Sequence, residues 1–99
     1  MIKLFLDDIR QPPDATWVVV RSHDAFIDFL QSNPTPELIS FDHDLGENAP
    51  TGMDCAKWLV ENGCSGFDFT VHSANPPGRA NIEGLLRNWL DFCKSEVDR

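Results

Sequence analysis

The sequence predicts an α/β fold with a mainly parallel sheet, on three observations. Short apolar runs recur along the 99 residues and stop on polar side chains. From residue 17 onward these runs alternate with segments of helical periodicity, which is typical of parallel strands joined by right-handed crossovers. The final segment carries a broad apolar stripe at helical spacing. We therefore expect about four strands covered by helices on both faces, a three-layer α/β/α domain.

Four segments are predicted to be strands. Residues 2–6 are apolar apart from Lys3 and are halted by two aspartates, so they read as a buried first strand. The second strand begins at Trp17, which three β-branched valines follow. Residues 38–41 and the alternating residues 67–71 supply the third and fourth strands. Consecutive prolines in residues 11–14 forbid a helix between the first two strands, so a proline-containing loop connects them.

Two helices lie between the later strands. Ser22 or Asp24 is a suitable cap for the first, which the proline-rich residues 33–36 end. Thr51 is the expected cap of the second helix, and Gly63 is the expected end.

The third helix is expected to close the chain. Its apolar stripe includes Ile82, Leu86 and Trp89, and Asn81 is the expected cap. The segment just before it, residues 76–79, reads Pro-Pro-Gly-Arg and is predicted to be a rigid turn.

Composition limits the classes of function. The net charge of −8 disfavours an extended nucleic-acid surface, which needs a basic face, but leaves room for a small anionic ligand. Three cysteines without C-x-x-C spacing argue against a disulfide framework and a zinc site, so we interpret them as small hydrophobic residues. We expect a single domain over residues 1–99, with no membrane-spanning or targeting segment, in the cytoplasm, as a monomer or weak homodimer.

Acidic side chains follow two of the predicted strands. Asp7 and Asp8 come directly after the first strand, and Asp42 and Asp44 follow the third. In open parallel sheets, ligands bind at the carboxyl ends of the strands, where these carboxylates would converge. Four carboxylates in one crevice repel one another unless a cation or shared protons intervene, and oxygen ligands suit Mg²⁺. The sequence therefore predicts a divalent-cation site, although some of these residues could simply be caps or loop residues.

Two histidines lie at the same predicted edge. His43 stands between Asp42 and Asp44, and His72 follows the fourth strand. An imidazole suits proton transfer at neutral pH, so two facing imidazoles could serve as base and acid. The alternative is that His72 bonds a carbonyl and His43 is solvated. His23, at the start of a helix, is interpreted as structural.

A set of hydrogen-bond donors accompanies these groups. Ser73, Asn75 and Arg79 follow the fourth strand, and Arg10 follows the first acid pair. Hydroxyl, amide and guanidinium groups are the donors that phosphate oxygens prefer. Each could equally satisfy a local turn or an exposed acid.

These motifs together resemble a known family. The acid pair after the first strand and the aspartate after the third resemble the receiver domain of two-component signalling, which holds Mg²⁺ at those positions. More specifically, the chain resembles the cyclic-phosphate processing receiver domains, on four motifs: Asp7-Asp8-Ile9-Arg10-x-Pro, Phe41-Asp42-His43-Asp44-Leu45-Gly46, Thr51-Gly52-Met53-Asp54 and His72-Ser73-Ala74-Asn75.

The resemblance implies a truncated receiver-like, flavodoxin-like fold with strand order 2-1-3-4. The first helix is replaced by the proline-containing loop, and no lysine follows a fifth strand. Strand register matches Asp42 to the receiver phosphoacceptor, whereas the eight-residue spacing to Gly52 matches Asp44. The resemblance also implies activity on the cyclic phosphates of nucleotides or RNA ends.

The leading functional prediction is a metal-assisted phosphoesterase that opens a cyclic phosphate. His43 and His72 would act as general base and general acid, and the four aspartates would bind Mg²⁺ or orient the imidazoles. The hydrogen-bond donors of Arg10, Ser73, Asn75 and Arg79 would bind the phosphate oxygens. Two alternatives remain open: a non-enzymatic receiver that accepts or senses phosphate, and a binding adaptor that reuses the fold without catalysis.

Overall fold

The computed structural model describes residues 1–97, which form four strands and three helices. In chain order these are β1 (Lys3–Leu6), β2 (Val18–Val20), α1 (His23–Ser32), β3 (Leu38–Phe41), α2 (Gly52–Glu61), β4 (Asp68–Val71) and α3 (Pro76–Val97). None of these helices is long and apolar enough to cross a membrane.

The four strands form one parallel sheet in the order β2-β1-β3-β4. The predicted α/β class, the parallel four-stranded sheet and the strand order 2-1-3-4 are confirmed. Residues 7–17 contain no helix, as their prolines predict. Because Leu6 pairs with Phe41 and Phe41 pairs with Val71, β1, β3 and β4 end level with one another. The polar residues that follow these three strands therefore meet at one edge.

All three helices pack on one face of the sheet, which differs from the expectation of two covered faces. One cluster joins alternate strand residues to all the helices, including Leu4, Ile39 and Val71 from the sheet and Phe26, Leu59 and Ile82 from α1, α2 and α3. The connections through α1 and α2 cross the sheet in the same direction, so right-handed crossovers place both on the same side. The connection from β1 to β2 crosses the other way and carries no helix.

The second face is covered in part by the loop that precedes β2. Trp17 packs edge-on against Phe5, with ring centroids 5.9 Å apart, and Lys3 lies over the Trp17 ring at 4.8 Å. Within residues 1–97, the helix residues of the core cluster pack on the first face, so no helix covers this second face. The predicted third layer is thus a loop and not a helix.

Helix α3 begins at Pro76, so the predicted turn at residues 76–79 and the predicted cap at Asn81 are wrong. The side chain of Asn75 accepts a hydrogen bond from the backbone N–H of Gly78 at 3.0 Å, the geometry of an N-terminal cap. Pro76 and Pro77 then fall in the first turn, where a helix has no use for the missing N–H groups. The other two caps agree with the prediction, since Ser22 caps α1 and Thr51 caps α2.

The cysteines are free thiols. Cys55 is buried in the core, and burial raises its pKa to about 12. Cys64 and Cys93 are half-buried. The interpretation of Cys55 as a small hydrophobic residue is confirmed.

Candidate active site

Three carboxylates gather at the carboxyl ends of β1 and β3. Asp7, Asp8 and Asp42 can each direct one oxygen so that all three oxygens lie within 4.8 Å of one another. Asp7 is fully buried, Asp42 is buried and Asp8 is half-buried. Asp44 is outside this group, and its side chain is 65% exposed. Of the two aspartates that match the receiver phosphoacceptor by different criteria, Asp42 is therefore the one beside the acid pair.

Asp7 is held by donors on both of its oxygens. Oδ1 accepts the backbone N–H groups of Ile9 (3.0 Å) and Arg10 (2.9 Å), and Oδ2 lies 3.0 Å from His72 Nε2. The Arg10 guanidinium is 3.7 Å from Oδ2. Burial opposes ionisation, but the backbone donors and His72 together lower the pKa of Asp7 below its ordinary value. Asp7 is therefore a fixed, ionised carboxylate.

Asp42 has the opposite electrostatic character. Oδ1 accepts the backbone N–H of His43 at 2.8 Å, and no described residue donates to Oδ2. Burial raises the pKa of Asp42, and the negative charge of Asp7 raises it further. An added positive charge would relieve both effects.

The position of Asp42 depends on Gly52, the first residue of α2. The Gly52 N–H donates to the carbonyl of His43 at 2.7 Å. A Cβ at position 52 would lie 1.8 Å from the carbonyl oxygen of Asp42. Only glycine lets α2 approach the end of β3 this closely.

His43 and Asp44 form a pair on the side of the sheet where α3 begins. His43 Nδ1 lies 2.9 Å from Asp44 Oδ1, and Asn75 Nδ2 is 3.4 Å from each of these two side chains. The hydrogen bond from His43, followed by that from Asn75, lowers the pKa of Asp44. Gly78 packs so closely on the imidazole that a Cβ there would lie 2.4 Å from its Cγ. No described residue bonds to Nε2 of His43.

His72 lies on the face of the sheet that lacks helices. Its ring stacks on Phe5, with centroids 4.5 Å apart and planes 3° from parallel. Nδ1 is 2.7 Å from Ser40 Oγ, and Nε2 bonds Asp7. Both ring nitrogens are therefore engaged.

The structure does not bring the two imidazoles together as a facing pair. His43 contacts Asp44, Asn75 and α3, whereas His72 contacts Asp7, Ser40 and Phe5, so they share no described partner. The physical reason is alternation at the strand ends, which sends the two side chains to opposite sides of the sheet.

A cleft of 380 Å³ opens beside the acidic cluster. Its polar lining contains most of the predicted site side chains: Asp8, Arg10, Asp42, Asp44, Ser73 and Asn75. Arg10 also donates to the carbonyl of His72 at 3.1 Å, which fixes it at this edge. The cleft is not lined by Asp7, His43, His72 or Arg79, although Asp44, the partner of His43, does line it. The Arg79 guanidinium bonds Glu83 one turn along α3 at 2.8 Å.

Three residues that support the site were not predicted. Ser40 and Phe5 hold His72, and Arg21 donates to the carbonyl oxygens of Asp7 and Arg10 at 3.2 and 2.5 Å. A signal for Ser40 is present in the sequence, because it is the only polar residue in the apolar run of residues 38–41. Phe5 and Arg21 have no such signal.

Comparison with known proteins identifies a family. The family model described as the cyclic-phosphate processing receiver domain matches residues 2–88, which includes every predicted site residue. No curated protein and no solved structure matches the chain.

Proposed function

Because the chain belongs to the family of cyclic-phosphate processing receiver domains, we propose that it is a metal-assisted phosphoesterase that opens a cyclic phosphate. The substrate class is a small 2′,3′-cyclic nucleotide or a terminal cyclic phosphate of RNA. The observation that carries this proposal is the group formed by Asp7, Asp8 and Asp42. This group borders a cleft lined with hydrogen-bond donors that suit phosphate oxygens. The net charge of −8 favours small or terminal substrates over long nucleic acids.

The acidic cluster fits a hard divalent cation, with Mg²⁺ the first candidate. Its ligand atoms are all oxygens, which suit Mg²⁺ better than softer metals. The raised pKa of Asp42 has the same implication, since burial beside another carboxylate is relieved by a bound cation. Asp7, Asp8 and Asp42 would hold the ion, with Asp44 outside the ligand set. When bound, the cation supplies positive charge that stabilises the phosphate oxygens.

The cleft side chains would bind and orient the cyclic phosphate. Arg10 presents a guanidinium, and Ser73 and Asn75 present a hydroxyl and an amide. These donors would stabilise charge on the non-bridging oxygens as it develops. Arg79 is removed from this role by its bond to Glu83.

We assign the proton from the attacking water to the pair formed by His43 and Asp44. A proton on Nδ1 that is shared with Asp44 leaves the lone pair on Nε2, which no described residue engages. The water oxygen forms a bond to phosphorus, its proton passes to His43, and one ring P–O bond breaks. The leaving oxygen takes a proton from solvent in the open cleft. His72, with both nitrogens engaged, positions Asp7 instead.

The test is hydrolysis of a panel of 2′,3′-cyclic nucleotides with Mg²⁺ and with EDTA. We expect turnover that EDTA removes, and a loss of about 100-fold or more in His43→Ala, the usual effect of removing an acid–base group. His23→Ala is the matched control, because His23 lies at the start of α1 and its partner is Asp24, whereas His43 bonds Asp44 of the cleft. Turnover that is unaffected by EDTA and by His43→Ala would contradict the proposal.

A second candidate function is that of a phosphoacceptor, because Asp42 and not Asp44 lies beside the acid pair and has an oxygen to which no described residue donates a hydrogen bond. Treatment with a small phosphodonor and Mg²⁺ distinguishes the two. A stable acyl-phosphate that forms on the parent chain and not on Asp42→Asn would favour the phosphoacceptor and contradict the esterase.

A further inference from the structure

We propose that Ser40 and Thr70 are positioning residues, which act through His72 to hold the Asp7 carboxylate in the orientation that the cation site needs. This inference rests on the proposed function to the extent that Asp7 is taken as a cation ligand. It assigns a role to the face of the sheet that carries no helix.

A chain of hydrogen bonds crosses three strands on this face. Thr70 Oγ1 in β4 donates to Ser40 Oγ in β3 at 3.0 Å. Ser40 Oγ is 2.7 Å from His72 Nδ1, and His72 Nε2 is 3.0 Å from Asp7 Oδ2 at the end of β1. Thr70 and Ser40 are register partners, so their side chains point to the same face.

When the His72 imidazole is neutral, the chemistry of the partners fixes the direction of every bond in the chain. His72 Nε2 faces a carboxylate oxygen that only accepts, so Nε2 carries a proton. In the neutral imidazole Nδ1 is then an acceptor, so Ser40 donates its single proton to it. The lone pairs of Ser40 remain for Thr70, which agrees with the direction of that bond. The two hydroxyls thus select the Nε2–H tautomer of His72.

The surroundings of the ring make this selection effective. Ser40 is 5% exposed, so water does not readily replace its hydroxyl. The stack on Phe5 fixes the plane of the imidazole. Asp7 Oδ1 is occupied by two backbone N–H groups, so Oδ2, the oxygen that His72 bonds, is the one with capacity left for a cation. A second partner that orients a metal-binding carboxylate or its histidine commonly changes metal affinity by 10- to 100-fold, roughly.

Two measurements on the intact chain test this inference. The first is the ¹⁵N spectrum of His72 in the metal-free protein, where Ser40→Ala and Thr70→Val are expected to lower the population of the Nε2–H tautomer. The second is the affinity for Mn²⁺ alone, which has the ligand preferences of Mg²⁺ and whose free ion is counted by electron paramagnetic resonance. We expect about tenfold weaker binding in Ser40→Ala and a smaller loss in Thr70→Val.

Conservative and remote variants separate positioning from a general loss of structure. Thr70→Ser retains the hydroxyl and is expected to keep both the parent tautomer and the parent affinity. Ser95→Ala removes an exposed hydroxyl near the far end of α3 and is expected to change neither. Thr70 is exposed, so Thr70→Val tests the chain of bonds even where Ser40→Ala fails to fold.

The failure of this inference and of the proposed function are distinguishable. Parent-like tautomer and Mn²⁺ affinity in both Ser40→Ala and Thr70→Val would overturn the inference and leave the cation site standing. Absence of Mn²⁺ binding by the parent chain would overturn the cation site and, with it, the effect on affinity.

Discussion

Asp7 and Asp42 lie in one cluster, yet their surroundings shift their pKa values in opposite directions. Backbone N–H groups and His72 outweigh burial at Asp7, so its pKa is lowered. At Asp42 burial and the charge of Asp7 outweigh the single bond from His43, so its pKa is raised. The folded structure therefore favours the ionised form of Asp7, whereas ionisation of Asp42 lowers the free energy of unfolding.

The first prediction is that Asp42→Asn stabilises the metal-free chain at neutral pH. A raised folded pKa means that ionisation of Asp42 costs stability as pH rises from its ordinary value of 3.8 through the folded value. Asparagine removes that charge and retains the acceptor for the His43 N–H. We expect a gain of roughly 1 to 3 kcal/mol in the free energy of unfolding. Chemical denaturation between pH 3 and 8 measures it, and the gain should vanish towards acid pH.

Asp7→Asn gives the contrasting outcome at the same scale. A lowered folded pKa contributes stability that is present above 3.8 and is lost as pH falls through the folded value. This substitution should therefore destabilise the chain at neutral pH, by about 2 kcal/mol. Asp28→Asn, on the exposed side of α1, is the control and should change stability by less than about 0.5 kcal/mol. Equal effects of Asp7→Asn and Asp42→Asn would contradict the opposite characters assigned to them.

At the scale of elements, the strands and two of the helices could be predicted because their signals are local. Apolar runs that stop on polar residues gave β1, β3 and β4, and capping side chains marked the starts of α1 and α2. The predicted start of α3 was wrong, because the prolines at residues 76 and 77 suggest a turn. Their compatibility with a first helical turn depends on Asn75 being the cap, which composition does not reveal.

In the candidate site, the gathering of the carboxylates could be predicted from the sequence, whereas the placement of the two histidines could not. Parallel strands must end at a common edge, so the gathering of Asp7, Asp8 and Asp42 follows from sequence once the strand order is known. Which side of that edge each histidine occupies depends on alternation beyond the strand ends and on where α3 begins. The partners of His72 are distant along the chain, Ser40 by 32 residues and Asp7 by 65, and the register of the strands brings them together.

The corrected start of α3 gives the second prediction. Asn75→Ala removes the cap and should lower the free energy of unfolding by about 1 kcal/mol. Asn81 is an exposed residue within α3, away from the ends of the helix. Asn81→Ala should leave the free energy of unfolding unchanged or raise it slightly, since alanine is the better helix former. Urea denaturation of the two variants makes the comparison. A larger loss in Asn81→Ala than in Asn75→Ala would place the cap at residue 81 after all.

At the scale of the whole molecule, two features set its response to cations. The net charge is −8, so any salt relieves some repulsion across the surface. The carboxyl edge adds a local excess of negative charge in Asp7, Asp8 and Asp42. A specific site and general screening therefore predict stabilisation of the same sign, and they differ in magnitude and in their dependence on Asp42.

The third prediction separates these effects through the melting temperature. A ligand that binds only the folded chain stabilises it by RT ln(1 + [L]/Kd), so 10 mM Mg²⁺ acting on a site of about 1 mM affinity adds about 1.4 kcal/mol. For a chain of this size that amounts to about 6 to 10 °C. NaCl at matched ionic strength supplies the screening alone and should give a smaller rise. Asp42→Asn loses a ligand oxygen, so its response to Mg²⁺ should fall to that of NaCl. If the parent chain and Asp42→Asn respond equally to Mg²⁺, the stabilisation comes from surface charge, and the cluster formed by Asp7, Asp8 and Asp42 is not a cation site.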